Sequence, residues 1–204
     1  MYDTLEQIIL CIQKYHQEVS EEWRKIYPVL PSLKQRCVCD ITEDGELYRN
    51  ILAYCSFLDQ YTIEVNFELT SKYKDYIRKT RIKAPNSVES KIEHYKTEAE
   101  HGYGKVPVIK CVNDLFGVRV VLPRYIEYEE IQKFVKKRIP NVKCTLNRKK
   151  TYNAVHVYFI LKNNLFPWEL QIWNKEDEND NLLSHSIYKQ DYTSWEQERQ
   201  KGGN

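Results

Sequence analysis

The run Leu115–Leu122 (LFGVRVVL) constrains this chain more than any other segment. Its β-branched and aliphatic residues mark a strand. Yet Asp114 enters the run and Arg119 sits inside it. Burying either charge unpaired is costly, so the fold must give each a partner or a task. Two readings follow. One is a structural Asp114–Arg119 ion pair or an edge-strand face. The other is a site in which Asp114 ligates Mg²⁺ while Arg119 stacks on a base or grips a phosphate.

The rest of the chain divides around this strand. Leu5, Ile8, Ile9, Ile12, Tyr15, Val19, Trp23 and Ile26 recur in steps of three and four, predicting an amphipathic helix over 4–27 that Pro28 and Pro31 end. A second helix is expected from Glu43–Leu47 through Leu58. Residues 61–70 stay open, because Ile63, Val65, Phe67 and Leu69 alternate like a strand yet also continue a helix. Ile77–Lys83 reads as a basic edge strand, and Pro85-Asn86-Ser87 opens a helix running to about His101. Glu127–Ile139 reads as a helix closed by Pro140. Val142–Leu146, Ala154–Leu161 and Trp168–Trp173 read as strands, Glu176–Asn181 as an acidic loop, and Leu183–Gln197 as a last helix. The expected architecture is α+β: a mixed sheet of about five strands flanked by helices, after a helical N-terminal region. The expected division is 1–76 helical and packing on the core, 77–197 the sheet domain, and 198–204 a tail.

Length and charge exclude some classes. A chain of 204 residues has no room for separate synthetic, hydrolytic and regulatory modules. No stretch approaches the roughly 18–20 apolar residues of a membrane span. Asp3 and Glu6 stand where a signal peptide would carry basic residues. The six cysteines lie mostly in expected helices and strands, which suits reduced thiols and a cytoplasmic location. No histidine has ligand spacing with a cysteine pair, so the sequence signals no zinc site. The formal charge of +2 leaves the local distribution to decide about nucleic acid.

Three patches carry chemistry. In Arg81-Ile-Lys83-Ala-Pro-Asn-Ser87-Val-Glu-Ser-Lys91, basic residues and a hydroxyl surround a helix N-terminus, whose free N–H groups and dipole favour anions. The alternative is a solvated basic helix start capped by Ser87. The second patch is Asn113-Asp114-Leu-Phe-Gly117-Val-Arg119. The third pairs two strands in which alternation puts Tyr152 with His156 on one face, and Glu169 with Gln171 on one face opposite Leu170 and Ile172. Such a sheet has one apolar side for the core and one polar side, which is either solvated or a site.

Taken in order, these segments resemble the RelA/SpoT-like synthetase domain, a nucleotidyltransferase-like pyrophosphokinase fold. The family's R-x-K-x-x-x-S-x-x-x-K is matched by Arg81, Lys83, Ser87 and Lys91, and its aspartate with a following G-[IV]-R by Asp114, Gly117 and Arg119. Its G-Y-x-x-[LI]-H is matched in part by Tyr152 through His156, its E-[IVL]-Q-I-R by Glu169 through Ile172, and its H-x-x-Y-K by His185, Tyr188 and Lys189. The resemblance implies transfer of pyrophosphate from ATP to a ribose 3′-hydroxyl, with release of AMP. It further implies that Arg81 and Arg119 sandwich the adenine, that Lys83, Ser87 and Lys91 neutralise the phosphates, and that Asp114 and Glu169 hold Mg²⁺. Glu169 would take the hydroxyl proton. Tyr152 would stack on the acceptor base, and His156, Gln171 and Lys150 would line the acceptor site.

Two positions depart from the family pattern. Thr151 stands for the glycine before the tyrosine, and Trp173 for the arginine after Ile172. Both fall on the acceptor side, while the ATP side is intact. This is similar to the small toxin-type branch, some of whose members modify the 3′-terminal adenosine of tRNA. Lys72, Lys74, Arg78, Lys79, Arg81 and Lys83, then Lys143, Arg148, Lys149 and Lys150, supply charge for an RNA backbone. The tRNA 3′ end is therefore the first expected acceptor and GDP or GTP, giving alarmones, the alternative. A non-catalytic nucleotide- or RNA-binding module is the second alternative, opposed by the presence of both Asp114 and Glu169. A toxin implies an antitoxin protein as partner.

Overall fold

The computed structural model describes residues 1–149, 151–184 and 186. Helix α1 spans Tyr2–Ile26 and buries Leu5, Ile8, Ile9, Ile12, Val19 and Trp23 along one stripe. Each such side chain contributes roughly 1.5–3 kcal/mol of burial before chain entropy is set against it. Helix α2 spans Glu46–Tyr73 and settles the open segment. Val65 and Leu69 are fully buried, whereas Ile63 and Phe67 are 81% and 71% exposed. Val65 and Leu69 lie seven and eleven residues beyond buried Leu58, in phase with the helix. Extending an existing helix also costs little once it is nucleated.

Five strands form one mixed sheet in the order β1-β2-β5-β4-β3: β1 Ile77–Ile82, β2 Phe116–Leu122, β3 Lys143–Lys149, β4 Tyr152–Phe159 and β5 Trp168–Asn174. Only β2 and β5 run parallel; the other pairs are antiparallel. Helices α3 (Pro85–Thr97), α4 (Val108–Cys111) and α5 (Tyr128–Arg138) lie in the connections. The third expected strand runs three residues beyond Leu146, because Leu146–Lys149 pair with Val155–Tyr152 across the hairpin. The expected acidic loop is shorter than Glu176–Asn181, since residues 178–184 are helical. Most of the expected Leu183–Gln197 helix lies outside the described residues.

Period-two alternation divides the sheet into two faces. Val118, Val120 and Leu122 of β2, Val155, Val157 and Phe159 of β4, and Trp168, Leu170 and Ile172 of β5 join one core with α1, α2 and α5. Buried Trp168 donates its indole N–H to Tyr54 of α2 at 2.9 Å. The other face carries Arg119, Glu169, Gln171 and His156, with Trp173 and Ala154 beside them. Edge strand β1 needs a device to join that face, because Ile77, Lys79 and Arg81 share parity. Ile77 opposes core-facing Val120, whereas Lys79 opposes Arg119. A β-bulge at Arg78 switches the face, so Ile77 packs inward and Lys79 and Arg81 point to the polar side. Among the described residues, no helix is long and apolar enough to cross a membrane.

Candidate active site

Asp114 lies at the mouth of β2, where the strand begins. Its carboxylate accepts from Lys83 Nζ at Oδ2 and from Lys91 Nζ at Oδ1, both at 2.9 Å. Lys83 follows directly on β1, and its backbone N–H donates to Leu115 O at 2.8 Å, which pins the end of β1 beside Asp114. Lys91 arrives from the second turn of α3 and also donates to Asn113 Oδ1 at 3.2 Å. Burial opposes the charge on Asp114, but the two ammonium groups outweigh it and hold the carboxyl well below the ordinary range. Lys91 is likewise desolvated, yet Asp114 raises its pKa on balance. Lys83 moves the other way, because burial dominates and Lys91 adds repulsion. The structural Asp114–Arg119 ion pair is therefore not what the fold makes.

Arg119 instead lies with its guanidinium carbon 3.7 Å from the centre of the Trp173 ring and donates through Nη2 to Gln171 Oε1 at 3.2 Å. Burial and the nearby Arg81 charge lower its pKa to about 10, so it stays charged at neutral pH. Arg81 crosses Gly117, its cross-strand partner. A Cβ on Gly117 would lie 3.8 Å from the Arg81 side chain, an ordinary contact distance. Lys79, Arg81, Gly117, Val118, Arg119, Glu169 and Gln171 line an open depression of about 220 Å³.

A hydrogen-bonded chain leads away from this depression. Glu169 accepts from Gln171 Nε2 and from His156 Nδ1, each at 2.8 Å. An ionised carboxylate can only accept, so the His156 proton sits on Nδ1. Nε2 lies 2.8 Å from the Tyr152 hydroxyl, within hydrogen-bond distance. Burial works against the Glu169 charge, but the bonds from His156 and Gln171 keep its carboxyl below the usual range. Burial raises the pKa of Tyr152. Tyr158, facing Glu169 across the β4–β5 ladder, brings its hydroxyl 3.3 Å from His156 Nδ1. Burial and then the Glu169 charge raise its pKa as well.

The expected residues are thus mostly brought together: Lys83, Lys91 and Asp114 in one cluster, and Arg81, Arg119, Glu169, Gln171, His156 and Tyr152 along the same sheet face. Ser87 lies one turn before Lys91, half-buried, but among the described residues its hydroxyl bonds to none of the cluster. It also makes no side-chain cap for α3. Lys150, His185, Tyr188 and Lys189 lie outside the described residues. Sequence reasoning missed Tyr158, the bond from Lys91 to Asn113 and the stacking of Trp173 on Arg119. Tyr158 was within reach, because it stands two residues from His156 and so on the same strand face.

A buried carboxylate gripped by two lysines, beside two arginines and a second buried carboxylate, is a phosphoryl-handling constellation. Residues 80–193 match the region found in RelA / SpoT proteins, and the chain belongs to that family of ATP-using pyrophosphokinases. No curated protein sequence matches it. Among solved structures, small alarmone synthetase 1 from Bacillus subtilis bound to its product pppGpp is similar at 14% identity, over 72% of this chain and 83% of that one, with a TM-score of 0.43. Small alarmone synthetase 2 from Bacillus subtilis is similar at 18% identity over 72% and 82%, with a TM-score of 0.41. A GTP pyrophosphokinase family protein from Streptococcus pneumoniae is similar at 20% identity over 68% and 78%, with a TM-score of 0.41.

Proposed function

We propose that the chain transfers the β,γ-pyrophosphate of ATP to the ribose 3′-hydroxyl of the terminal adenosine of tRNA, releasing AMP. The observation that carries this reading is the gathering of Arg81, Arg119 and Glu169 on one face of the sheet, with the Lys83–Asp114–Lys91 cluster at the mouth of β2. Arg81 and Arg119 flank the depression as a cation–π clamp for adenine, each contact contributing about 1–2 kcal/mol when desolvated. Lys83 and Lys91 hold Asp114 until a triphosphate arrives, and then exchange it for phosphate oxygens. Ser87 joins them from the first turn of α3. Residues 77–197 form the synthetase unit in this reading, with 1–76 as its helical support and 198–204 as a tail.

Asp114 and Glu169 are oxygen donors of the kind Mg²⁺ takes. The Asp114 charge also acts on Glu169, and these two carboxylates are the residues that would hold a magnesium ion. Bound there, the ion would offset charge on the transferring phosphates. Glu169, ionised and oriented by His156 and Gln171, receives the proton of the attacking hydroxyl. Tyr152 offers its ring to the acceptor base, and its hydroxyl bonds to His156 Nε2. His156, Gln171 and Lys150 line this acceptor side.

The choice of acceptor rests on the far side of the same face. Trp173 fills the place of the family's arginine with an apolar surface shared with Val121, Ala154 and Tyr152. It presents no charge toward a free nucleotide's phosphates. Lys143 and Lys149 stand exposed on edge strand β3, next to the acceptor side. An RNA end can be held by its backbone along such an edge. Blocking the tRNA terminus would stop aminoacylation, which makes the chain a toxin acting in the cytoplasm and its partner an antitoxin. γ-Labelled ATP, Mg²⁺ and either deacylated tRNA or GDP/GTP test the proposal. Label on tRNA supports it, and label on guanine nucleotide alone replaces it with alarmone synthesis. RNA binding with ATP untouched reduces the chain to a binding module.

A further inference from the structure

We propose a second metal site, distinct from the phosphoryl centre, in which His94, Glu100 and His101 bind one zinc-type divalent cation. Among the described residues, this is the one group of three whose ligand atoms all lie within 4.8 Å of one another. His94 comes from the last turn of α3, and Glu100 and His101 from the 3-10 turn Ala99–His101 that follows. Gly102, with φ of 57°, reverses the chain directly after it.

Both imidazoles direct Nε2 at the same oxygen: His101 lies 3.1 Å and His94 3.8 Å from Glu100 Oε1. Tetrahedral zinc with bonds of about 2.0–2.1 Å sets neighbouring ligand atoms about 3.3 Å apart. The two distances bracket that edge. The His101 ring is fixed by stacking on Tyr95, with centroids 3.7 Å apart and planes at 6°. A ligand whose plane is already set loses little entropy on binding.

Two nitrogens and one carboxylate oxygen suit Zn²⁺, Co²⁺ or Ni²⁺ and are poor for Mg²⁺, which takes oxygen ligands. Three protein ligands leave a fourth position for water, on the side where the Glu100 side chain is 63% exposed. The ion would clamp the turn after α3 onto the helix that carries Lys91. Tyr95 links the two places, since Lys91 Nζ lies 5.8 Å from its ring centre.

The test uses the full chain without a histidine tag, stripped with chelator and dialysed against Co²⁺ or Zn²⁺ in excess Mg²⁺. We expect one bound ion per chain by elemental analysis, and a tetrahedral Co²⁺ visible spectrum that Mg²⁺ does not abolish. His94→Gln and Glu100→Gln should each weaken binding beyond the about 10–100-fold that loss of a mere supporting partner costs. Glu100→Gln is exposed and leaves the fold intact, so it stands if a histidine variant misfolds. Absence of binding at tens of micromolar metal, or unchanged binding in both variants, overturns the site. So does binding that disappears only when Cys37 and Cys39 become serine.

Discussion

Asp114→Asn is the most informative perturbation, because one atom changes and two lysines lose their counter-charge. Both Lys–Asp contacts are 2.9 Å long, and the side chains of Lys83, Lys91 and Asp114 are 15%, 17% and 13% exposed. Hydrogen bonds to charged groups contribute about 1.5–3 kcal/mol each, so two amount to about 3–6 kcal/mol. Asparagine keeps one acceptor, and the lysines can relax toward the solvent they still touch. The expected net cost is therefore about 3 kcal/mol, at the lower end for breaking a buried pair. For a chain of this size that lowers Tm by roughly 6–12 °C.

The sign with pH follows from the depressed Asp114 pKa. Its stabilisation is complete above the unfolded value of about 4 and is lost as pH falls through the folded value. The gap between wild type and Asp114→Asn should be constant above about pH 5 and narrow below pH 4. A double-mutant cycle with Lys91→Met should give a coupling energy above about 1 kcal/mol. Freed from Asp114, Lys83 and Lys91 should bind ATP without metal at least as tightly as in wild type, while transfer is lost. Calorimetry over pH and a nucleotide titration check these outcomes. A Tm change under about 2 °C, or zero coupling, refutes the reasoning.

Other expectations are simpler. Burial lowers the His16 pKa to about 4, and its Nε2 lies 3.0 Å from Phe166 O. The unfolded histidine, at about 6.5, takes up a proton first, so stability should rise by up to about 3 kcal/mol between pH 4 and 6.5. His16→Gln should flatten that rise in denaturant titrations; an unchanged slope assigns it elsewhere. Tyr152→Phe removes the bond to His156 Nε2, and we expect kcat to fall about tenfold with acceptor KM little changed, as loss of about 1–1.5 kcal/mol implies. A change confined to KM would make Tyr152 a stacking platform only. Trp173→Arg removes a fully buried ring from under Arg119 and sets two like charges together. It should weaken ATP binding and cost roughly 3–5 kcal/mol of stability; wild-type melting and ATP affinity would contradict the stacking role.

Much of this fold was legible because hydrophobic periodicity is local. The α1 stripe and the β2 run needed no tertiary knowledge, and neither did the alternation of Glu169 and Gln171 with Leu170 and Ile172. Residues 61–70 were not legible: Ile63 and Phe67 are exposed apolar residues that imitate strand alternation within a helix. The bulge at Arg78 is a property of pairing with β2, so nothing in β1 alone announces that Lys79 and Arg81 change face. For the site, residue types and order pointed to Asp114, Lys83 and Lys91. Their mutual pairing was hidden, because it depends on how α3 folds back over the end of β2. His94 and His101 looked scattered for a similar reason: the end of α3 at Thr97, the 3-10 turn Ala99–His101 and the Tyr95 stack bring them together, and no spacing rule encodes that.

The central claim concerns where the pyrophosphate goes. The most direct measurement mixes the chain with γ-labelled ATP, Mg²⁺ and GTP, together with intact tRNA or tRNA whose terminal ribose has been opened by periodate. We expect one AMP released per labelled intact tRNA terminus, no label on the oxidised tRNA, and no transfer by Glu169→Gln. Label on GTP alone, or equal labelling of intact and oxidised tRNA, would contradict transfer to the tRNA 3′-hydroxyl.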